Sequence, residues 1–245
     1  MLNVLTRAIV TLSLCAASLT VQAATVTTNE VALDAIFSQA SFDPNAPNSI
    51  APIDIRFLPT LRLDRPRFTT VDSSSVIVDG NDLGTEVAYL LQQPFVQFSA
   101  TDRIYMLFVD SITACDGGGN NPNIVGCALI NGNRILVQSD FASGAFGAEL
   151  LGHEIAHNLG IGPHSSGGLM NATLNGETDL TAAQVRTIAR SPLIQNPQSP
   201  SPFLQIQPVD VYDGSTAVVP LPPAGLALVG ALGAFALRRR RTSKS

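Results

Sequence analysis

His153-Glu154-Ile155-Ala156-His157-Asn158-Leu159-Gly160-Ile161-Gly162-Pro163-His164 holds every histidine of the 245-residue chain. On a helix, residues four apart stand one above the other, so His153 and His157 present two imidazoles to one point. Glu154 adds a carboxylate able to take a proton there. Gly160 suits the left-handed backbone with which helices end. The helix therefore stops just after the second histidine, and His164 returns within reach as a third nitrogen.

The His-Glu-x-x-His spacing is that of zinc peptidases; the bland alternative is a pair of core histidines on a buried helix. With Gly160, His164 and Met170 in Ser-Gly-Gly-Leu-Met-Asn, the stretch resembles the metzincin metallopeptidases, whose signature is HExxHxxGxxH followed by a methionine turn. The resemblance implies one catalytic Zn2+ held by His153, His157 and His164, with Glu154 as general base. It also implies that Met170 forms the turn beneath the metal without ligating it. The family's third ligand falls where this chain has Pro163; proline cannot ligate, so His164 takes the role if Gly162-Pro163 loops out. In the gluzincin arrangement a downstream glutamate, here Glu177, would be the third ligand. Asn175-Gly176 reads as a turn, not as the helix needed to present it. Asn171-Ala172-Thr173 follows the methionine, so no assisting tyrosine is assigned.

Outward from this stretch, the metal-site helix is expected to begin near Ser143, with Asp140 or Ser143 as cap, and to run through Phe146, Leu150 and Leu151. Glu149, one turn before His153, reads more readily as a structurally paired glutamate than as a partner of the site. Cys127–Ile130 and Arg134–Gln138 predict a hairpin through Asn131-Gly132. The unbroken apolar run Ile104–Val109 predicts a central strand covered on both faces. Ile53–Leu58 alternates like a strand, Asn29–Phe42 has helical spacing with Asn29 as cap, and Thr181–Ser191 predicts a last helix that begins with a cap-like Asp179-Leu180-Thr181. Val76–Val78 reads as a short extended piece and Asp82–Leu91 as a helix or a turn-rich connection. The fold class is α+β; the resemblance, spanning about residues 25–195 but specific only over 153–170, implies a metzincin-like mixed, twisted sheet with an active-site helix and a C-terminal helix. It also implies an extended substrate pairing with an exposed edge of Arg134–Gln138.

The ends of the chain speak of export. Residues 1–23 carry Arg7, an apolar run and Val21-Gln22-Ala23, the pattern of a secretory signal peptide. In an oxidising compartment Cys115 and Cys127 would pair across a Gly/Asn-rich loop; Asp116-Gly117-Gly118-Gly119-Asn120-Asn121 offers a calcium ion a single carboxylate, thin coordination. Residues 24–195 form the catalytic domain, and 196–218, rich in Pro, Ser and Gln, read as a linker. Residues 219–245 combine Val219-Pro220-Leu221-Pro222, an apolar run to Leu237 and four arginines at 238–241, and resemble the PEP-CTERM sorting tails of Gram-negative bacteria. That resemblance implies removal by an exosortase-type enzyme, with membrane contact only through the unprocessed tail.

Residues 24–219 contain 8 Arg, no Lys and 19 acidic residues, a formal charge of 8 − 19 = −11. Such a surface is unsuited to nucleic acid or anionic lipid. The expectation is an exported zinc-dependent endopeptidase acting on protein or peptide outside the inner membrane, extracellular or at the cell surface. The alternative is a non-catalytic zinc-binding surface or matrix protein of the same fold. Glu154 argues against that alternative, because a closed structural site has no use for a base beside the metal.

Overall fold

A computed structural model of the chain describes residues 26–64, 70–71, 100–115, 121, 123–162 and 164–212. Residues 1–23, expected as a signal peptide, residues 219–245, expected as a sorting tail, residues 76–78 and 82–91, Pro163 and most of the loop between the cysteines lie outside them. Among the described residues no helix is long and apolar enough to cross a membrane.

The elements follow in the order α1 (Glu30–Ile36), β1 (Asp54–Phe57), β2 (Leu61–Asp64), β3 (Thr70–Val71), β4 (Ile104–Val109), β5 (Ser111–Ile112), β6 (Gly126–Ala128), β7 (Arg134–Gln138), α2 (Ser139–Ala142), α3 (Gly147–Asn158), α4 (Ala182–Ile188) and β8 (Phe203–Tyr212). This is a mixed α/β fold around one parallel-rich sheet. Its strand order is β1-β8-β4-β7-β6, with β2 also on β8, and β6 alone is antiparallel to its neighbour. Strands β3 and β5 form a separate parallel pair.

Every residue of β4 is buried, as its unbroken apolar run predicts. Ile104, Met106 and Phe108 face a cluster with Leu33, Leu151, Ile155, Val185 and Ile188 from helices α1, α3 and α4, and with Phe37 just after α1. Tyr105, Leu107 and Val109 face the other side, with Leu63, Leu136, Val209 and Val211. The period-two alternation of strand side chains thus divides one run between two cores.

The stretch 196–218 is not a linker as expected: residues 203–212 are β8, in the middle of the sheet. The unit that contains the sheet runs to Ser215, so the domain does not end at 195. Pro208 hid this strand, since proline cannot donate to a ladder and argues against a central position. Leu58 donates to the Ile206 carbonyl, so residues 206, 208 and 210 turn their backbone groups toward β1 and β2. The β1 register ends opposite Ile206 and the β2 register begins opposite Val209, so Pro208 falls in the gap between them. No ladder donor is needed there.

Three further expectations change. Arg134–Gln138 is no edge, because β6 covers it; the hairpin forms with Cys127 opposite Leu136, and among the described strands β6 ends the sheet on that side. The metal-site helix does not start at Ser143: Gly144 donates to the Phe141 carbonyl and Gly147 to that of Gly144, which breaks the chain into α2 and α3. The first helix is shorter than Asn29–Phe42. Asn29 does precede it, but in left-handed conformation, with its side chain donating to the Ala142 carbonyl instead of capping. At α4 the expected cap is present, with Thr181 and Gln184 forming a capping box. Cys115 and Cys127 are joined in a disulfide, their Cα atoms 6.1 Å apart.

Candidate metal centre

Helix α3 is buried nearly all round, from Glu149 through Asn158. Each polar side chain on it therefore needs a partner. Asn158 donates from Nδ2 to the carbonyls of Leu129 and Arg134, tying the helix end to the β6–β7 hairpin. Asn131 at the hairpin tip donates its backbone N–H to the His157 carbonyl.

The exit of α3 builds the first support of the site. Gly160 has φ +106, its N–H bonds the His157 carbonyl, and the Ile161 N–H bonds the Ala156 carbonyl. These two bonds make a Schellman turn. The turn brings the Ile161 carbonyl to 2.6 Å from His157 Nδ1.

A second turn supports His153. Gly168, at φ +68, accepts at its carbonyl from Asn171, and the Glu177 carboxylate accepts from the Gly168 N–H at 2.7 Å. This turn presents the Leu169 carbonyl to His153 Nδ1 at 2.7 Å and buries Met170 completely in the main core. The methionine thus packs at the turn that braces a histidine.

Carbonyls only accept, so Nδ1 carries the proton on both rings and the two Nε2 lone pairs converge, 3.1 Å apart. His164 closes the arrangement, its ring centroid 5.2 Å from those of both His153 and His157. One ligating nitrogen from each ring lies within 4.8 Å of the others, so the three histidines can hold a metal ion. Tetrahedral zinc–nitrogen bonds of about 2.0–2.1 Å would set ligand nitrogens about 3.3 Å apart. The buried pair already has this spacing. Burial, with His157 and His164 as neighbours, holds the His153 imidazole down at about 4, so it is neutral and a ligand at ordinary pH. His164, unlike the other two, is exposed.

The three rings and Glu154 line a cleft of about 770 Å³. Glu154 is buried on its floor, and edge strand β6 passes directly over it: a Cβ on Gly126 would run into its carboxylate. The far wall is formed by Asn171, Ala172, Thr173 and Leu174, and the rest of the lining includes Val125, Leu150, Ile130, Phe141 and Phe146. The last three are large apolar side chains left exposed. Among the described residues lining the cleft, Glu154 is the sole Asp, Glu, Lys or Arg.

His153, Glu154, His157 and His164 thus meet at one place. Glu177 does not join them, being engaged with the Gly168 amide. Two contributors escape sequence reading. Gly126 is needed for a close approach across the fold. Gln138 donates to the Ile124 carbonyl and so holds the segment leading into β6. Glu149, expected as a structurally paired glutamate, is buried with both oxygens on the backbone amides of Asn175 and Gly176, just past the far wall. Comparisons of the chain with protein families, curated proteins and solved structures give no match.

Proposed function

We propose that the protein is a metzincin-like zinc endopeptidase, exported and then sorted by its tail. The observation that carries the reading is the convergence of three imidazole nitrogens beside a buried carboxylate in an open cleft that also exposes large apolar side chains. Two of those imidazoles are locked through Nδ1 by backbone carbonyls, the outer bonds that orient metal-binding histidines. His153, His157 and His164 would hold zinc, which when bound acts as a Lewis acid toward water and a carbonyl.

The chain's own residues supply the rest. Glu154 takes a proton from the attacking water and returns it to the departing amine. The edge of β6, not β7, pairs with an extended substrate. The apolar lining receives apolar side chains and excludes charged ones. Export through residues 1–23, exosortase-type processing of 219–245 and action outside the inner membrane belong to the same proposal.

The test is cleavage of a denatured protein by the full chain, with and without a chelator, beside Glu154→Ala, with bound zinc quantified in both. The expected result is chelator-sensitive cleavage that falls about 10²–10⁴-fold in the variant while zinc stays bound. Zinc without cleavage by the wild type would favour the non-catalytic surface protein. Absence of zinc would remove the basis of both readings.

A further inference from the structure

The far wall of the cleft has no regular secondary structure, so something else must fix it. Asn171 to Leu174 lie between two turns, and each turn is fastened by a carboxylate. At one end Glu177 accepts from the Gly168 amide. At the other, Glu149 accepts from Asn175 N–H at 2.9 Å and from Gly176 N–H at 2.8 Å, one bond to each oxygen. Glu149 is only 3% exposed, and Gly176, at φ +88, takes a backbone that L side chains rarely adopt. Bonds from amides to a buried carboxylate are among the stronger hydrogen bonds a protein makes.

Glu149 also sits on α3 one turn before His153, next to Leu150, which lines the same cleft as the wall. One rigid helix therefore carries two of the three histidines, part of the cleft lining and the anchor of the wall. We infer that Glu149 is the positioning residue that sets the wall's distance from the metal, and through it the preference for a large apolar substrate side chain. The inference rests on the peptidase reading for its meaning, but it can be tested without turnover.

Two chelators serve as probes of the zinc-loaded full chain: acetohydroxamate, which reaches only the metal, and a succinyl hydroxamate bearing an isobutyl group, which also needs the wall. In Glu149→Ala, acetohydroxamate should bind within about twofold of wild type, while the isobutyl compound weakens by about tenfold or more, the scale of a lost apolar contact in a pocket. Glu149→Gln, which keeps one accepting oxygen, should fall between. Amide exchange should rise over residues 171–177 and stay unchanged in α3. If the peptidase reading holds, the same loss appears as a higher KM for peptides with leucine at the cleavage site, with kcat unchanged.

Unchanged isobutyl binding would overturn the inference. So would equal weakening of both probes with loss of zinc, which would make Glu149 a support of the helix alone. The described loss in Glu149→Ala, together with a wild type that cleaves nothing, would sink the peptidase reading and leave the role of Glu149 standing. A wild type that binds no zinc would overturn both.

Discussion

Helix α3 and strand β8 are both buried at the centre of the domain, and they spend that position differently. On α3, five polar side chains are buried: Glu149, His153, Glu154, His157 and Asn158. The partners of Glu149, Asn158 and both histidine Nδ1 atoms are backbone groups of neighbouring loops and turns. On β8, Leu204, Ile206, Val209 and Val211 are almost wholly buried, and the backbone is paired with β1, β2 and β4. Buried polar groups add little net stability even when satisfied, whereas buried apolar area is the dominant favourable term. The comparison teaches that α3 holds the chemistry and β8 holds the structure on which that chemistry depends.

The sharpest break is to end the chain at residue 202. Without β8 the sheet loses the strand between β1 and β4, and the expected outcome is no cooperative thermal unfolding, read by circular dichroism. A truncated chain that melts like the full one would refute the central role of β8. Next, Leu204→Ala should destabilise by about 2–5 kcal/mol, as expected for a fully buried leucine. Denaturant unfolding measures this. Glu154→Ala on α3 should do the reverse, sparing stability within about 1 kcal/mol while removing the proposed activity, since the role proposed for it lies in proton transfer.

A subtler contrast lies in pH. Burial lowers the His153 pKa from 6.5 to about 4, so between those values the unfolded chain binds a proton that the folded chain refuses. The metal-free protein should therefore have its full stability above pH 6.5 and lose up to about 3 kcal/mol as the pH falls toward 4. Unfolding of metal-free His153→Gln over the same range should lack this slope; an equal slope would assign it to other groups.

How much of this was legible beforehand follows from the range of the forces involved. The helical pairing of His153 with His157, the exit at Gly160, the β6–β7 hairpin and the Thr181 cap are local, and their signals lie within a few residues. So is the apolar run of β4, which is central because nothing in it can face water. Strand β8 was missed for the opposite reason. Its acceptable proline depends on where two other strands happen to end, about 150 residues earlier in the chain. The β7 edge was misplaced because order within a sheet is a property of neighbours, which no single strand encodes.

The sequence by itself determined which residues can bind a metal, and that the helix carrying two of them must end at Gly160, because helical periodicity and backbone sterics act over one or two turns. Only the tertiary structure decided what steadies and encloses the site. Leu169 and Ile161 carbonyls orient the imidazoles, Gly126 lets the edge strand pass over Glu154, and Glu149 fastens the far wall. The histidine supports and the anchor of the wall are hydrogen bonds between side chains and backbone groups, and Gly126 is a matter of close packing. Apart from the Ile161 bond, they join segments distant along the chain, so they exist only once the sheet and helices have closed around them.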